Sequence, residues 1–331
     1  MAASGASWTS ALQAKYEASA GAGGTATRML TDVIAPVQLI PDYKMIRTDS
    51  VRGQLHPQWN APIITSQIEG LKGFKIRPTY ESIPWWLAVA VTGGGTAAVL
   101  TDGTAYTRTF TPSGTPANGD DRKTVAFEIG SDAGYWTAAY GVCEKFGIKL
   151  FGNKPAEFTA DFACQKRTTL ATLASLSPVA WEEINGSTFK AFLDSTTLGA
   201  TAFAATEASL EIANTYEWIY TGDGNLYPSS AILTGYSAKL GMSVVFNSMT
   251  EYTAWAASTE RKARLLIEGA LAGTATKKSL QIDWYGYWDD PVTPKETNGV
   301  LVANLSGECT FDVGASKTFV VTSVNALATL P

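Results

Sequence analysis

One stretch of this chain has an echo, low in identity but the same in order, far downstream. Ile63-Ile64-Thr65-Ser66 leads to Gly70-Leu71-Lys72-Gly73-Phe74-Lys75-Ile76, then to Tyr80-Glu81-Ser82 and Trp85-Trp86. Far downstream, Ile232-Leu233-Thr234-Gly235 leads to Leu240-Gly241-Met242-Ser243-Val244, then to Thr250-Glu251-Tyr252 and Trp255. The order is the same in both: an apolar pair with Thr, a Gly-marked strand, and a tryptophan on a short helix. Trp85 and Trp255 each follow a glutamate by the same spacing, Glu81 and Glu251. A repeat of this size constrains the fold before local propensity does, because both copies must build one kind of unit. The echo predicts an internal duplication, each half a β-sheet with one short helix against it.

Local chemistry supports both helices. Ser82 is placed to act as an N-cap, Pro84 is tolerated in the first turn, and Trp85-Trp86-Leu87 supply the apolar side. Gly93-Gly94-Gly95 is expected to stop that helix, since glycine loses the most backbone entropy there. In the second copy, Ser248 and Glu251 have the spacing of a capping box. Trp85 and Trp255 are expected to occupy matching places.

The rest of the chain reads as strands and turns. Ala105–Phe110 alternates with period two, as do Val125/Phe127/Ile129, Phe146/Ile148/Leu150 and Phe158/Ala160/Phe162. Polar, turn-rich segments punctuate them, notably 48–60 and 111–121. This predicts an all-β protein with short flanking helices, built as two tandem β-sandwiches or partly open barrels, with no βαβ rhythm. The expected division is a flexible arm over 1–30, a first domain over 31–167, a linker or crossover over 168–206 and a second domain over 207–331.

With 331 residues there is material for a real core, yet only 17% of residues are charged. That balance suits a subunit that buries much surface in an assembly. The net charge of -5 argues against a protein that grips phosphates. No long apolar span predicts a membrane crossing, and residues 2–10 lack the charged and apolar regions of a secretion signal. Cys143, Cys164 and Cys309 lie far apart without metal spacing, which predicts reduced, buried thiols.

No set of residues converges on chemistry. Asp283, Asp289 and Asp290 could be read as a carboxylate pair of a glycosidase, but Asp289-Asp290 before Pro291 has the form of a turn. Glu182-Glu183 has the same weakness. His56 is the only histidine, so a multi-His metal site is excluded, and no serine elbow stands ready for a triad. Gly93-Gly94-Gly95 lacks the Lys and Ser/Thr of a phosphate loop. No catalytic, metal or cofactor residues are therefore expected. The run Trp284-Tyr285-Gly286-Tyr287-Trp288 carries aromatics on both faces of a strand, and its second face is expected to meet a neighbouring subunit.

A further series runs through the first half: Ile40-Pro41, Arg47, Gly53, Ile63-Ile64-Thr65, Gly73-Phe74, Glu81-Ser82-Ile83-Pro84-Trp85-Trp86-Leu87 and Thr107-Arg108-Thr109-Phe110-Thr111-Pro112. It resembles the tail tube (major tail) proteins of long, non-contractile-tailed bacteriophages, best over residues 35–165. The resemblance implies a structural virion protein and not an enzyme. Its inner sheets would join across subunits around a channel, and stacked rings would conduct DNA without specific binding. It also implies assembly in the host cytoplasm and contacts with tape measure, tail terminator and tail-tip proteins. Length and echo together predict a homotrimeric, pseudo-hexameric ring, each chain supplying two tube domains. A capsid decoration or baseplate protein, and a carbohydrate-binding module or glycosidase, are the alternatives that share these features.

Overall fold

The computed structural model describes residues 11–34, 38–46, 63–91, 98–112, 123–131, 134–177, 181–297 and 299–330. A first set of elements runs β1 (Ala11–Tyr16), β2 (Arg28–Met29), β3 (Gln38–Ile46), β4 (Ile63–Ile76), α1 (Ile83–Ala90), β5 (Val99–Asp102), β6 (Ala105–Phe110), β7 (Val125–Ser131), β8 (Gly134–Phe151), β9 (Lys154–Cys164) and β10 (Lys166–Leu170). A second set runs β11 (Lys190–Asp194), β12 (Ala202–Phe203), β13 (Ala205–Ile219), β14 (Ser230–Val245), α2 (Thr250–Ala256), β15 (Arg261–Leu271), β16 (Lys277–Gly286), β17 (Pro294–Thr297), β18 (Val300–Glu308) and β19 (Phe319–Asn325). The protein is all-β with two short helices among the described residues, as the alternating patterns predict.

Apart from β5–β6, which has no counterpart, the strand pairings within the two sets correspond one to one, and all are antiparallel. In the first set β1 pairs β2 and β7, β8 pairs β7, β10 and β9, and β4 pairs β3 and β9. In the second, β11 pairs β12 and β15, β16 pairs β15 and β19, β18 pairs β17 and β14, and β13 pairs β14. The difference is that β8 does alone what β16 and β17 do separately. At 18 residues β8 is far longer than an ordinary strand, and it serves two sheets. It turns between them at Tyr140, whose φ of 54° is a left-handed conformation that side chains rarely adopt. Glu17 Oε1 accepts the Tyr140 N–H at 3.0 Å, and the Tyr140 hydroxyl accepts the Ala231 N–H at 3.1 Å, so the strained corner is held from both sides.

The echo in the sequence falls on matching ladder positions in the strands. The β3–β4 ladder steps from Lys44↔Ser66 to Met45↔Ile64, leaving Thr65 out. The β13–β14 ladder steps from Thr215↔Gly235 to Tyr216↔Leu233, leaving Thr234 out. Each bulged threonine donates its hydroxyl to the carbonyl across the ladder: Thr65 to Lys44 at 3.1 Å, Thr234 to Thr215 at 3.2 Å. A bulge of this kind bends a strand and raises its twist at a defined place.

In the helices the correspondence shifts. The third residue of α1 is Trp85, but the third residue of α2 is Tyr252, so Trp85 and Trp255 do not occupy matching places. Trp85 is fully buried while Trp255 is half-buried at the edge of the core. Neither expected cap forms. Ser82 stands at the N-cap position, but its hydroxyl accepts the Thr79 N–H at 3.1 Å and tightens the preceding turn instead. In α2 the N-cap position is Met249, and Glu251 is drawn away to the Arg261 guanidinium and to Trp288 Nε1 at 2.9 Å. A charge-assisted, two-armed contact outweighs a neutral cap. The glycine stop at 93–95 lies outside the described residues.

The core is continuous through both sets. Every residue of α1 is buried, so it is a core helix rather than an amphipathic one. Trp85 stacks on Tyr16 at 5.4 Å and meets Trp86 edge-on at 4.9 Å, while Phe74, Phe127 and Phe162 close around them from β4, β7 and β9. Contacts from β7 to β4 and β9 are sheet-on-sheet, the packing of a β-sandwich. The Trp86 indole N–H donates to Asp32 at 2.7 Å.

Two expected boundaries change. The described part of the 1–30 arm is structured: β1 pairs β7 along its whole length, and Glu17 and Glu128 carboxylates accept N–H groups of Gly21, Gly23 and Ala26. The 168–206 linker contains β11 and β12, which belong to the second set's outer sheet. In their described parts both segments are tied to the sheets by strand pairing. Truncating Trp86 to Ala should cost about 3 to 5 kcal/mol in urea unfolding, the range for a buried aromatic. Trp255→Ala should cost markedly less, and equal losses would contradict the shifted helix register.

Candidate assembly surfaces

Of the residues that invited a catalytic reading, Asp283, Asp289 and Glu182 are occupied elsewhere. Asp283 receives a two-armed contact from Arg264, at 2.6 and 2.9 Å, plus Gln281 Nε2 at 2.9 Å. Asp289 accepts the Glu308 N–H at 2.8 Å in a turn, and Asp290 is exposed. Glu182 accepts the Ala270 N–H at 2.8 Å and the Lys278 ammonium at 3.0 Å. Burial raises all three thiols: Cys143 and Cys164 lie well above the ordinary range and Cys309 is pushed up to about 11. A thiol so shifted is a poor nucleophile. Among the described residues no cluster of His, Cys, Asp and Glu could hold a metal ion, and no helix is long and apolar enough to cross a membrane. His56 lies outside the described residues.

The aromatic run is core and not a docking face. Trp284 is fully buried and stacks on Trp288 at 5.1 Å, and Tyr285 is buried too, with Lys262 over its ring. Only Tyr287 of the run is substantially exposed. Gly286 is demanded by a strand crossing, where a Cβ would run into the Glu308 carbonyl oxygen. The expected subunit contact through this run is therefore replaced by internal packing.

What the fold presents instead is one long sheet. Where the two sets meet, β8 pairs β13 in a ladder from Lys145↔Ala213 to Phe151↔Glu207. The sheet then reads β3-β4-β9-β8-β13-β14-β18-β17 without a break. Side-chain clamps reinforce the joint. The buried Asn214 amide donates to the Ala90 carbonyl at the end of α1, at 2.9 Å, and to the Cys143 carbonyl at 3.0 Å. Lys278 bridges Glu81 and Glu182, at 2.5 and 3.0 Å. Asn325 donates to the Tyr80 carbonyl at 2.9 Å, and β6 of the first set adds to β19 of the second.

One face of this long sheet packs on the core; the other is open and polar. Small residues (Gly147, Thr159, Ser209, Gly241, Ser243) line two shallow hollows of about 170 and 440 Å³ between the strands. Charges on the open face alternate across the ladders: Lys145 lies opposite Asp161, Lys149 opposite Glu157, and Lys239 opposite both Glu211 and Glu308. Opposite charges in such register are mutually favourable, and they leave the face mixed in sign rather than uniformly acidic. The sheet ends on two edges, β3 and β17, that pair on one side only among the described residues. Exposed strand edges are places where another chain can add.

Neither the known protein families nor the curated proteins contain a match to this sequence. The joint between the sets has a pH signature. Burial opposes the charge of Glu182, but the Ala270 N–H and Lys278 outweigh it and hold its carboxyl below the usual carboxylate range. A depressed folded pKa contributes stability above the unfolded pKa, and that stability is lost as pH falls through the folded value. Stability against urea should therefore fall on acidification below the ordinary glutamate range, and Glu182→Gln should flatten that part of the profile. An unchanged profile in the variant would remove Glu182 from the clamp.

Proposed function

We propose that this chain is a structural subunit of a tail tube of the long, non-contractile phage type, polymerising as stacked rings around a DNA channel. The observation that carries the reading is the recurrence of the same pairings, with the same bulged threonine, in two sets joined edge to edge. A unit whose edge fits the edge of its own copy is a unit built to repeat. The two sets are then two tube domains from an internal duplication, and a ring of three chains has pseudo-sixfold symmetry. The resemblance in the first set's motifs points the same way.

In this reading the open face of the long sheet lines the channel. Lysines set opposite carboxylates give phosphates no net attraction, and the small residues between them leave the wall smooth. DNA passes because nothing on the wall holds it. Tape measure, terminator and tail-tip proteins would cap and fill such a tube, which would reside in the virion tail after assembly in the host cytoplasm.

Negative-stain microscopy of concentrated protein tests the assembly: hollow tubes with three chains per ring are expected. Six chains per ring, or dispersed monomers at every concentration, would overturn it. The wall is tested by duplex-DNA gel shifts. The parent protein should show no binding at physiological salt, while Glu157→Lys with Glu211→Lys should acquire binding that falls steeply with salt, by about 0.9 in log-log slope per phosphate neutralised. Micromolar binding by the parent would contradict a balanced wall.

A further inference from the structure

The chain carries a template for its own intersubunit contact. At the internal joint, the last strand of the first set's inner sheet, β8, pairs with the first strand of the second set's, β13. The corresponding last strand of the second set is β17, and the corresponding first strand of the first set is β3. Those are the two edges left open at opposite ends of the sheet among the described residues.

The register of the missing contact can be read from the ladders. On one side, Lys149 lies opposite Glu157 and Ile148 opposite Phe158 in the β8–β9 pair. β9 and β18 correspond through the long strands, because Ile76 opposes Phe158 as Val244 opposes Ala303, and Leu71 opposes Phe162 as Leu240 opposes Gly307. Pro294 lies opposite Ala303 and Lys295 opposite Val302. Lys295 therefore stands where Lys149 stands, and Pro294 where Ile148 does. The buried Val292 then falls at the place of the buried Phe146, which the chain satisfies. On the other side, the shared threonine bulge sets Lys44 at the place of Thr215, so Gln38 corresponds to Ser209 and Leu39 to Leu210. The ladders agree, since Leu39 opposes Leu71 as Leu210 opposes Leu240.

We propose that a second copy of this chain adds its β3 to the β17 edge in antiparallel register, Gln38 opposite Lys295 and Leu39 opposite Pro294. This repeats the internal pairs Ser209↔Lys149 and Leu210↔Ile148 between chains. It rests on the tube reading and names the joint that the reading leaves open. The contact is heterologous, because two different edges meet, so it propagates and closes only as a ring. It is also short. β17 has four residues, and Pro294 and Pro41 each remove a donor from their edges. Prolines on an edge disfavour indiscriminate pairing and narrow the registers a partner can use.

The test is a pair of cysteines across the joint. Residues directly opposite in an antiparallel ladder have Cβ atoms about 4.5 to 5.5 Å apart, near enough for a disulfide to form with small adjustment. The double variant Gln38→Cys with Lys295→Cys should, on mild oxidation of assembled protein, convert most of the chain to covalent oligomers ending at closed trimers. Either single variant, and Lys44→Cys with Lys295→Cys, should remain monomeric on non-reducing gels. Tubes without cross-links in the double variant would overturn the β3–β17 joint and leave the tube reading standing. Cross-linked closed rings that never stack would do the reverse. Cross-links of equal yield in the Lys44 control would overturn the register.

Discussion

Main-chain hydrogen bonding at strand edges governs this molecule. An edge strand leaves a row of N–H and C=O groups unpaired, and a folded protein must cover them, blunt them or use them. Here the β8–β13 ladder uses two such edges to make one sheet from two sets of strands. That choice propagates outward. It requires β8 to leave the outer sheet and reach the inner one, hence the left-handed Tyr140 corner braced by Glu17 and by the Ala231 N–H. It also places α1 beside the second set, where Asn214 ties the helix end and β8 to β13.

Charge and size on the two faces of the long sheet follow from the same geometry. Alternation puts phenylalanine, leucine and isoleucine on the core face and lysine, glutamate, serine and glycine on the other. Antiparallel pairing then brings Lys145, Lys149 and Lys239 opposite acids on neighbouring strands. A face that neutralises itself locally differs from one that is acidic overall, although the chain carries a net charge of -5. Repulsion would act at long range and fade with salt, whereas local balance leaves little field at any salt. In the proposed tube, the second arrangement would let a polyanion slide past at any salt.

The two sets are alike in topology and unlike in detail, and the differences are confined to where they meet other structure. β5 and β6 are an addition to the first set, and they are spent on extending the second set's outer sheet through β19. α1 is buried on every side, packed on aromatics of the first set and tied at its end by Asn214 of the second, while the α2 region leaves Met249, Tyr252 and Trp255 at least partly exposed. Sets alike in topology therefore need not be alike in burial.

The sequence alone determined the element type and the echo. Period-two patterns and turn residues are local signals, so β4, β7, β9 and β14 were legible, as was the correspondence of Thr65 with Thr234. Spacing misled where tertiary partners decided. Glu251 has the position of a capping residue, yet Arg261 and Trp288 take its carboxylate, and no local pattern reveals that. Trp85 and Trp255 share a spacing from glutamate but not a place on the helix, because the turn leading into each helix is set by different contacts. The aromatic run read as a surface because alternation shows two faces without showing what covers them; the end of β16 at Gly286 lets Trp288 fold back onto Trp284. Strands β1, β11 and β12 were hidden in small-residue segments, where weak propensity is overridden by partners distant in the chain. Edge pairing joins residues far apart in sequence, and only the tertiary structure brings those edges together.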